Sequence, residues 1–415
     1  MARHVPAQQE IRAAKDVVVV GGGLIGLATA MTLLERHPGL RLAVVEKEQL
    51  HTAHQSGRNS GVIHAGLYYA PGSLKAQLCR EGRELLIAFA DEHAIKYSLL
   101  GKLVVAADQR ELDRLDELHR RGEANGLIGL RYLDESELRK VEPHVAGTRA
   151  LHVPESGIID YRQVAEAYAA RIRALGGEVL LGASVSAIEP RSDHVRVKWP
   201  SGSARSEFVI TCGGVQSDRL ARLTGSASSE YRIVPFRGDY FTFALPARSL
   251  VRGLVYPVPD PSFPFLGVHF TPRMDGEVWA GPNAVPSLAR EGYRRIAFSA
   301  RDTWETLSFR GFGRLAMRYA RMGALEIWRD VDRRAAVRTM KRYLPELKLE
   351  DVRFGPCGIR AQCMKNDGTL VDDFLFAEAE RTLHVLNAPS PGATASLAIG
   401  RMLADRAAAQ SGLAA

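Results

Sequence analysis

The chain has 415 residues, of which 46% are apolar and 25% charged, with a formal net charge of +8. That length exceeds what one hydrophobic core serves, and the balance of residues is that of folded globular proteins, so a disordered or fibrous chain is excluded and two domains are predicted. No uncharged apolar run of about 18 residues occurs, which excludes a bilayer-spanning helix.

The polar start, Met1 to Lys15, has no signal-peptide character, and the expected setting is the cytoplasm. Cys79, Cys212, Cys357 and Cys363 are scattered, without zinc or C-x-x-C spacing, so neither a metal site nor a structural disulfide is expected. Asp16–Val20 is a β-branched run that predicts a buried strand. Gly21–Gly26 follows, then a helical stretch from Leu27 to Glu35 that His37-Pro38-Gly39 ends. Leu42–Glu46 predicts a second strand, and residues 50–75, rich in Gly, Ser, His and Asn, a long functional loop. Tyr161–Leu175 has helical spacing. Val179–Ile188, Val195–Trp199 and Phe208–Cys212 read as strands, the last running into Gly213-Gly214. From Tyr231 to about Ala280 the pattern is strand-rich; residues 290–345 read as helical and basic. Leu383–Asn387 is the final strand, and Gly392–Ser396 opens a terminal helix. The resulting class is mixed α/β, with α/β segments at both ends and a strand-rich middle.

Gly21-Gly22-Gly23-Leu24-Ile25-Gly26 fits the dinucleotide pattern G-x-G-x-x-G, preceded by a strand and followed by a helix, with Glu46 twenty residues after Gly26. Gly21 permits the tight turn, Gly23 lets a pyrophosphate approach the backbone, and Gly26 lets helix and strand pack closely. The helix N-terminus offers free N–H groups to phosphate, and Glu46 accepts from ribose hydroxyls. Two later segments favour FAD over NAD. The strand ending in Gly213 and Gly214 reads as a second cofactor contact. Asn387–Thr394 places Pro391, Gly392, Ala393 and Thr394 before a helix whose N-terminus suits the negative charge of a reduced flavin.

Taken with His54–Tyr69, Val234–Tyr240, Pro264–His269, Gly281–Ala284 and Gly358–Gln362, these segments make the chain resemble the D-amino-acid-oxidase-type FAD superfamily. Within it, the chain resembles the L-2-hydroxyglutarate dehydrogenase/oxidase family. The matching segments run in order through nearly the whole chain; one departure is Arg58, where relatives often carry histidine. The resemblance implies a Rossmann-like FAD-binding domain built from discontinuous segments (14–85, 148–228 and 350–412). It also implies a strand-rich substrate domain (86–147 and 229–349) carrying the basic helical segment. It adds Gln55, Ser56, Asn59, Ser60, Gly61 and Val185 to the expected flavin contacts. The implied reaction is oxidation of L-2-hydroxyglutarate to 2-oxoglutarate, with hydride passing to the flavin.

Such a substrate needs cations for two carboxylates and an acceptor for the hydroxyl proton. Arginine suits carboxylates through its planar fork. Arg360, in Gly-Ile-Arg, is the first candidate, Arg237 the second and Arg58 the third. His64 and His269 are the candidate proton acceptors, since histidine titrates near neutrality. Tyr240, Tyr256 and Asn283 are candidate hydrogen-bonding partners of substrate. Rival readings are another oxidase of the superfamily, acting on an amino acid or a different 2-hydroxy acid, and a flavin-binding module without catalysis. Nucleic-acid binding has no motif to support it.

Residues 290–342 hold thirteen Arg and one Lys against six Asp and Glu, a net charge equal to that of the whole chain. Trp304, Phe309, Phe312 and Trp328 lie among them. The mixture fits an anionic membrane surface and delivery of electrons to a quinone there; the competing reading is a solvated basic face.

Overall fold

The computed structural model describes residue 11 and residues 13–226, 230–260 and 267–412. The polar stretch 1–10 and Pro264–Leu266 of one family-like segment lie outside the described residues. The chain divides into two compact units, one of Met1–Gly57, Tyr161–Val234 and Ala361–Ala415, the other of Arg58–Asp160 and Pro235–Arg360.

In the first unit the β-branched run becomes strand Lys15–Val20, buried along nearly its whole length. It is flanked by two parallel neighbours, Leu42–Val45 and the second half of Gly202–Thr211, with Val20 opposite both Val45 and Thr211. The parallel core is extended by Glu178–Leu180 on one side and Thr382–Asn387 on the other. The expected strand Val179–Ile188 is two strands, Glu178–Leu180 and Ala187–Pro190, split at Gly182, whose φ of +75° makes a turn that glycine tolerates. The second piece leaves the parallel core to pair antiparallel with Val195–Trp199. Helix Leu24–Arg36 packs against the terminal helix Ser396–Ser411 closely enough that a Cβ on Gly400 would lie 2.8 Å from the Ala28 backbone. The terminal helix starts at Ser396, four residues later than Gly392, because residues 390–395 close turns of their own, Gly392 N–H on Pro389 and Ala395 N–H on Pro391.

The second unit is built on a nine-stranded sheet. Lys102–Ala106 pairs parallel with Leu254–Pro257, which pairs antiparallel with His269–Pro272, and that strand with Val278–Gly281. The two faces of the sheet follow from strand alternation. Leu103, Val105, Val255 and Phe270 face a core shared with helix Arg333–Met340. Val104, Ala106, Leu254 and Tyr256 face the other way, onto Leu115, Leu118 and Leu67. Residues 58–85, 148–160 and 350–360, expected with the cofactor domain, cluster with this unit, and 230–234, expected with the substrate domain, with the first. Val62–Ile63 pairs with Gly157–Ile159, which also pairs with Tyr97–Ser98.

Candidate active site

In the first unit the carboxyl ends of three parallel strands bring Gly21, Glu46 and Cys212 to one sheet edge, the place where open α/β sheets bind ligands. The Gly21 N–H donates to Val45 and the Cys212 N–H to Val20, at 2.8 and 2.7 Å. Gly21 has φ +113°, and a Cβ there would meet the Cys212 carbonyl oxygen at 2.4 Å. A Cβ on Gly26 would lie 2.0 Å from the Gly21 carbonyl oxygen, which is the helix–strand contact the fingerprint predicts. Gly23 caps helix Leu24–Arg36 without a side-chain bond, and no acidic residue occupies the first turn. The Ser56 hydroxyl accepts from the Leu24 N–H at 3.0 Å, and Glu46 accepts from the Gly22 and Glu48 N–H groups at 2.7 and 3.0 Å. An acidic side chain fixed beside a glycine cradle at a helix N-terminus fits the ribose and pyrophosphate of a dinucleotide.

The other expected cofactor contacts divide between the units. Gly214 has φ +52°, and a Cβ there would meet Gln55 Oε1 at 2.7 Å; a Cβ on Gly213 would strike the Leu220 side chain. Buried Thr394 bonds the Tyr161 hydroxyl at 2.9 Å, and Pro391, Gly392 and Ala393 lie in the turns before the terminal helix. Val185 packs on the core of the first unit. Asn59, Ser60 and Gly61 belong to the second unit. There Asn59 accepts from the Gly61 N–H at 2.8 Å and from Arg273 at 3.1 Å, and Ser60 bonds Tyr240.

The substrate candidates converge within the second unit. His269 stacks on Tyr256, ring centroids 4.0 Å apart, and its Nδ1 lies 3.2 Å from the Gly267 carbonyl. That contact assigns the proton to Nδ1 and leaves Nε2 as an acceptor. Burial, with the charges of Lys102 and Arg360, pushes His269 down to about 3, although the Gly267 carbonyl acts in the opposite direction. Burial also holds His64 well below its ordinary value, assisted by the charges of Lys102, His269 and Lys75. Both imidazoles are therefore neutral at neutral pH and able to accept a proton. Arg360, itself pushed down by burial, interacts with Tyr240 and with Glu326. Tyr240 packs at 4.9 Å from the Trp279 ring, and the Arg273 guanidinium lies 3.8 Å over the same ring.

Sequence reasoning missed Lys102. It opens strand Lys102–Ala106, is 2% exposed, and lies over the rings of Tyr256 and Tyr68 at 4.4 and 5.1 Å. A lysine ahead of Leu-Val-Val-Ala reads as a solvated strand end, and only the alternation that puts residue 102 with Val104 and Ala106 hints at its facing inward. Tyr68, in the His54–Tyr69 segment, was likewise not singled out; its buried hydroxyl has no hydrogen-bond partner among the described residues.

Two expected substrate residues are engaged elsewhere. Arg237 donates to Asp239 and Asp330, both at 2.7 Å, and to the Arg295 carbonyl. Asn283 accepts from the Asp239 N–H and donates to Asp330 at 2.8 Å. Arg295 pairs with Asp330 as well, so two arginines meet two buried aspartates. Arg237 and Asn283, expected at the substrate, thus tie strand Tyr231–Phe243 and the loop at Asn283 to helix Ala320–Val331. Arg58 stacks over the Tyr293 ring at 4.1 Å, and a Cβ on Gly358 would strike its carbonyl oxygen.

The basic segment is helical from Ala300 to Met340, in four short helices, but not over 290–299 or 341–345. Of its aromatics, Trp304 and Trp328 are exposed, Phe309 is buried and Phe312 half-buried, because Phe309 turns inward at a helix start.

The family model for FAD-dependent oxidoreductases matches residues 16–406. The chain belongs to that family. It is 46% identical to the mitochondrial L-2-hydroxyglutarate dehydrogenase of Nematostella vectensis, over 95% of this chain and 90% of that one. It is 44% identical to the human mitochondrial protein of the same name, over 94% and 88%. An Escherichia coli L-2-hydroxyglutarate dehydrogenase is 42% identical over 94% and 92%. Among solved structures, the FAD-bound L-α-glycerophosphate oxidase of Mycoplasma pneumoniae superimposes with a TM-score of 0.77 at 24% identity, covering 95% of this chain and 94% of that one. Glycine oxidase from Geobacillus kaustophilus does so at 0.72 and 20% identity, over 96% and 95%. These last two share the fold. The chain is thus an FAD-dependent oxidoreductase with the mixed α/β architecture its sequence implies, and within that family it groups with the L-2-hydroxyglutarate dehydrogenases.

Proposed function

We propose that this enzyme oxidises L-2-hydroxyglutarate to 2-oxoglutarate. The observation that carries the reading is the cluster in the second unit, where cationic side chains surround two neutral imidazoles, together with relatives that bear this activity in their names. Bound FAD supplies the acceptor, at N5, for the Cα hydride. The protein's own part is to bind a carboxylate at Arg360, to orient the hydroxyl with Tyr240 and Tyr256, and to take the hydroxyl proton. That proton passes to the His64–His269 pair. Each imidazole lies in the other's field, so protonating one disfavours protonating the other, and the pair holds a single proton. The test is anaerobic titration of the yellow protein with L-2-hydroxyglutarate, glycine, sarcosine and D-alanine. L-2-hydroxyglutarate should bleach the flavin; bleaching by an amino acid alone would assign the enzyme to the other oxidases of the family.

We also propose that the electrons pass to a quinone at an anionic membrane surface, with the enzyme attached peripherally through residues 294–331. Among the described residues no helix is long and apolar enough to cross a membrane. Ile296, Trp304, Met317 and Val331 are each more than 70% exposed, and Arg294, Arg301, Arg310, Arg314, Arg318 and Arg321 are exposed among them. Apolar side chains set among arginines suit insertion at an interface of anionic lipid. Cosedimentation with anionic vesicles at low salt should be lost when Arg314, Arg318 and Arg321 become Glu. A native protein that stays in the supernatant at low salt refutes the attachment.

A further inference from the structure

Lys102 poses a question that the family-like segments leave unanswered. Its ammonium is buried, and no carboxylate pairs with it among the described residues; its neighbours there are the faces of Tyr256 and Tyr68. Lysine stems ordinarily run along apolar surface to carry the charge back to water. A buried charge without a counter-ion is unfavourable, and aromatic faces compensate it only in part. The bland explanation, a lysine trapped in a core, does not account for where it lies. Lys102 shares its sheet face with Tyr256, Tyr256 stacks on His269, and the charge of Lys102 acts on both His269 and His64. Arg360 acts on His269 too. The imidazole that would receive a hydroxyl proton thus lies in the field of two cations on different strands, Lys102–Ala106 and Val352–Lys365.

We propose that Lys102 anchors the second carboxylate of the substrate and makes the site select 2-hydroxy dicarboxylates over 2-hydroxy monocarboxylates. The assignment rests on the 2-hydroxy acid reading given above. One carboxylate goes to the arginine fork, and the other supplies the counter-ion that Lys102 lacks. A monocarboxylate of the same length leaves the ammonium buried and unpaired, so discrimination comes from the cost of that lone charge as well as from the ion pair the dicarboxylate makes. Burial brings the amine down to about 8, so it is charged at neutral pH.

The test compares L-2-hydroxyglutarate with L-2-hydroxyvalerate, which replaces the distal carboxylate by a methyl group, in the flavin-loaded enzyme. Loss of a charge-assisted bond predicts that Lys102→Met lowers kcat/KM for the dicarboxylate about 10- to 100-fold more than for the monocarboxylate, any effect through the field on the two imidazoles being common to both substrates. Lys102→Arg should keep the preference. Equal losses on both substrates overturn the proposal. If the native enzyme turns over neither acid, the functional reading fails first.

A second measurement needs no variant. The affinities of glutarate and valerate for the native holoenzyme are compared at pH 7 and pH 9.5. Of the groups acting on Lys102 or lying against it, Tyr68 and Tyr256 are pushed up by burial, Cys79 to about 12 by the same cause, and His64 and His269 are held low. Lys75 adds a further positive charge at His64 and Cys79. With Lys102 titrating near 8, the preference for glutarate should fall about tenfold or more across this range. A constant ratio of the two affinities rules out Lys102 as the anchor.

Discussion

Gly26→Ala probes the cofactor cradle most directly. The added methyl carbon would lie 2.0 Å from the Gly21 carbonyl oxygen, where ordinary contact begins near 3.4 Å, so the two backbones must separate by about 1.4 Å. Gly21 has little room to yield, because it is held at φ +113° with the Cys212 carbonyl against its own α-carbon side. The start of helix Leu24–Arg36 must move instead, and with it the N–H groups offered to the pyrophosphate. Overpacking of this kind costs about 1–3 kcal/mol, which weakens FAD binding about 5- to 150-fold if the strain is relieved only in the apoprotein. Fluorescence quenching on reconstituting the apoprotein with FAD gives the affinity, and a thermal melt gives the stability. Both should fall. Gly23→Ala is the comparison: a Cβ there meets only the Ser56 hydroxyl, at 3.0 Å, so it should weaken FAD binding with a smaller loss of Tm. If Gly26→Ala binds FAD within twofold of the native protein and melts at the same temperature, the cradle is not built as described.

Arg360→Ala should lower kcat/KM for L-2-hydroxyglutarate about 10- to 100-fold or more while flavin is retained, since a charge-assisted bond is worth about 1.5–3 kcal/mol; steady-state kinetics at matched flavin content check it. His64→Gln and His269→Gln, read by stopped-flow flavin reduction, should reveal which imidazole takes the proton, through a loss of about 100-fold or more in one of them. If both keep near-native rates, the base lies elsewhere.

Much of the first unit was legible because its rules are local. A β-branched run, a glycine turn and an acidic residue twenty positions later specify a strand, a tight turn and a carboxylate fixed beside it without reference to the rest of the chain. The second unit depends on pairings between distant strands, and there the sequence was less informative. Arg237 looked like a carboxylate fork, but Asp330, 93 residues away, takes that fork, and a single sequence does not show the pairing. Lys102 was hidden for the opposite reason: its surroundings, Tyr68 and Tyr256, come from two other segments, and nothing beside it in sequence marks a buried charge. His64 and His269 stood out only as lone histidines in segments of small and apolar residues. The burial that keeps them neutral, assisted by the charge of Lys102, is a property of the folded sheet.

The same burial and charge give the pH profile a definite shape. In the free enzyme both imidazoles are depressed, His269 to about 3, so they stay unprotonated and ready well below the ordinary histidine value. Lys102, near 8, must remain protonated to attract a dianion. Because kcat/KM reports the free enzyme, its acid limb should lie far below the usual histidine value of about 6.5, and its alkaline limb should fall near 8. A bound substrate brings two negative charges among these cations. Negative charge favours the protonated imidazole and the protonated amine, so both limbs of kcat must move to higher pH than those of kcat/KM. Measurements between about pH 5 and pH 10 avoid protonation of the substrate's own carboxylates. The two outcomes that sink this argument are an acid limb of kcat/KM at or above 6.5, and a kcat profile whose limbs move to lower pH.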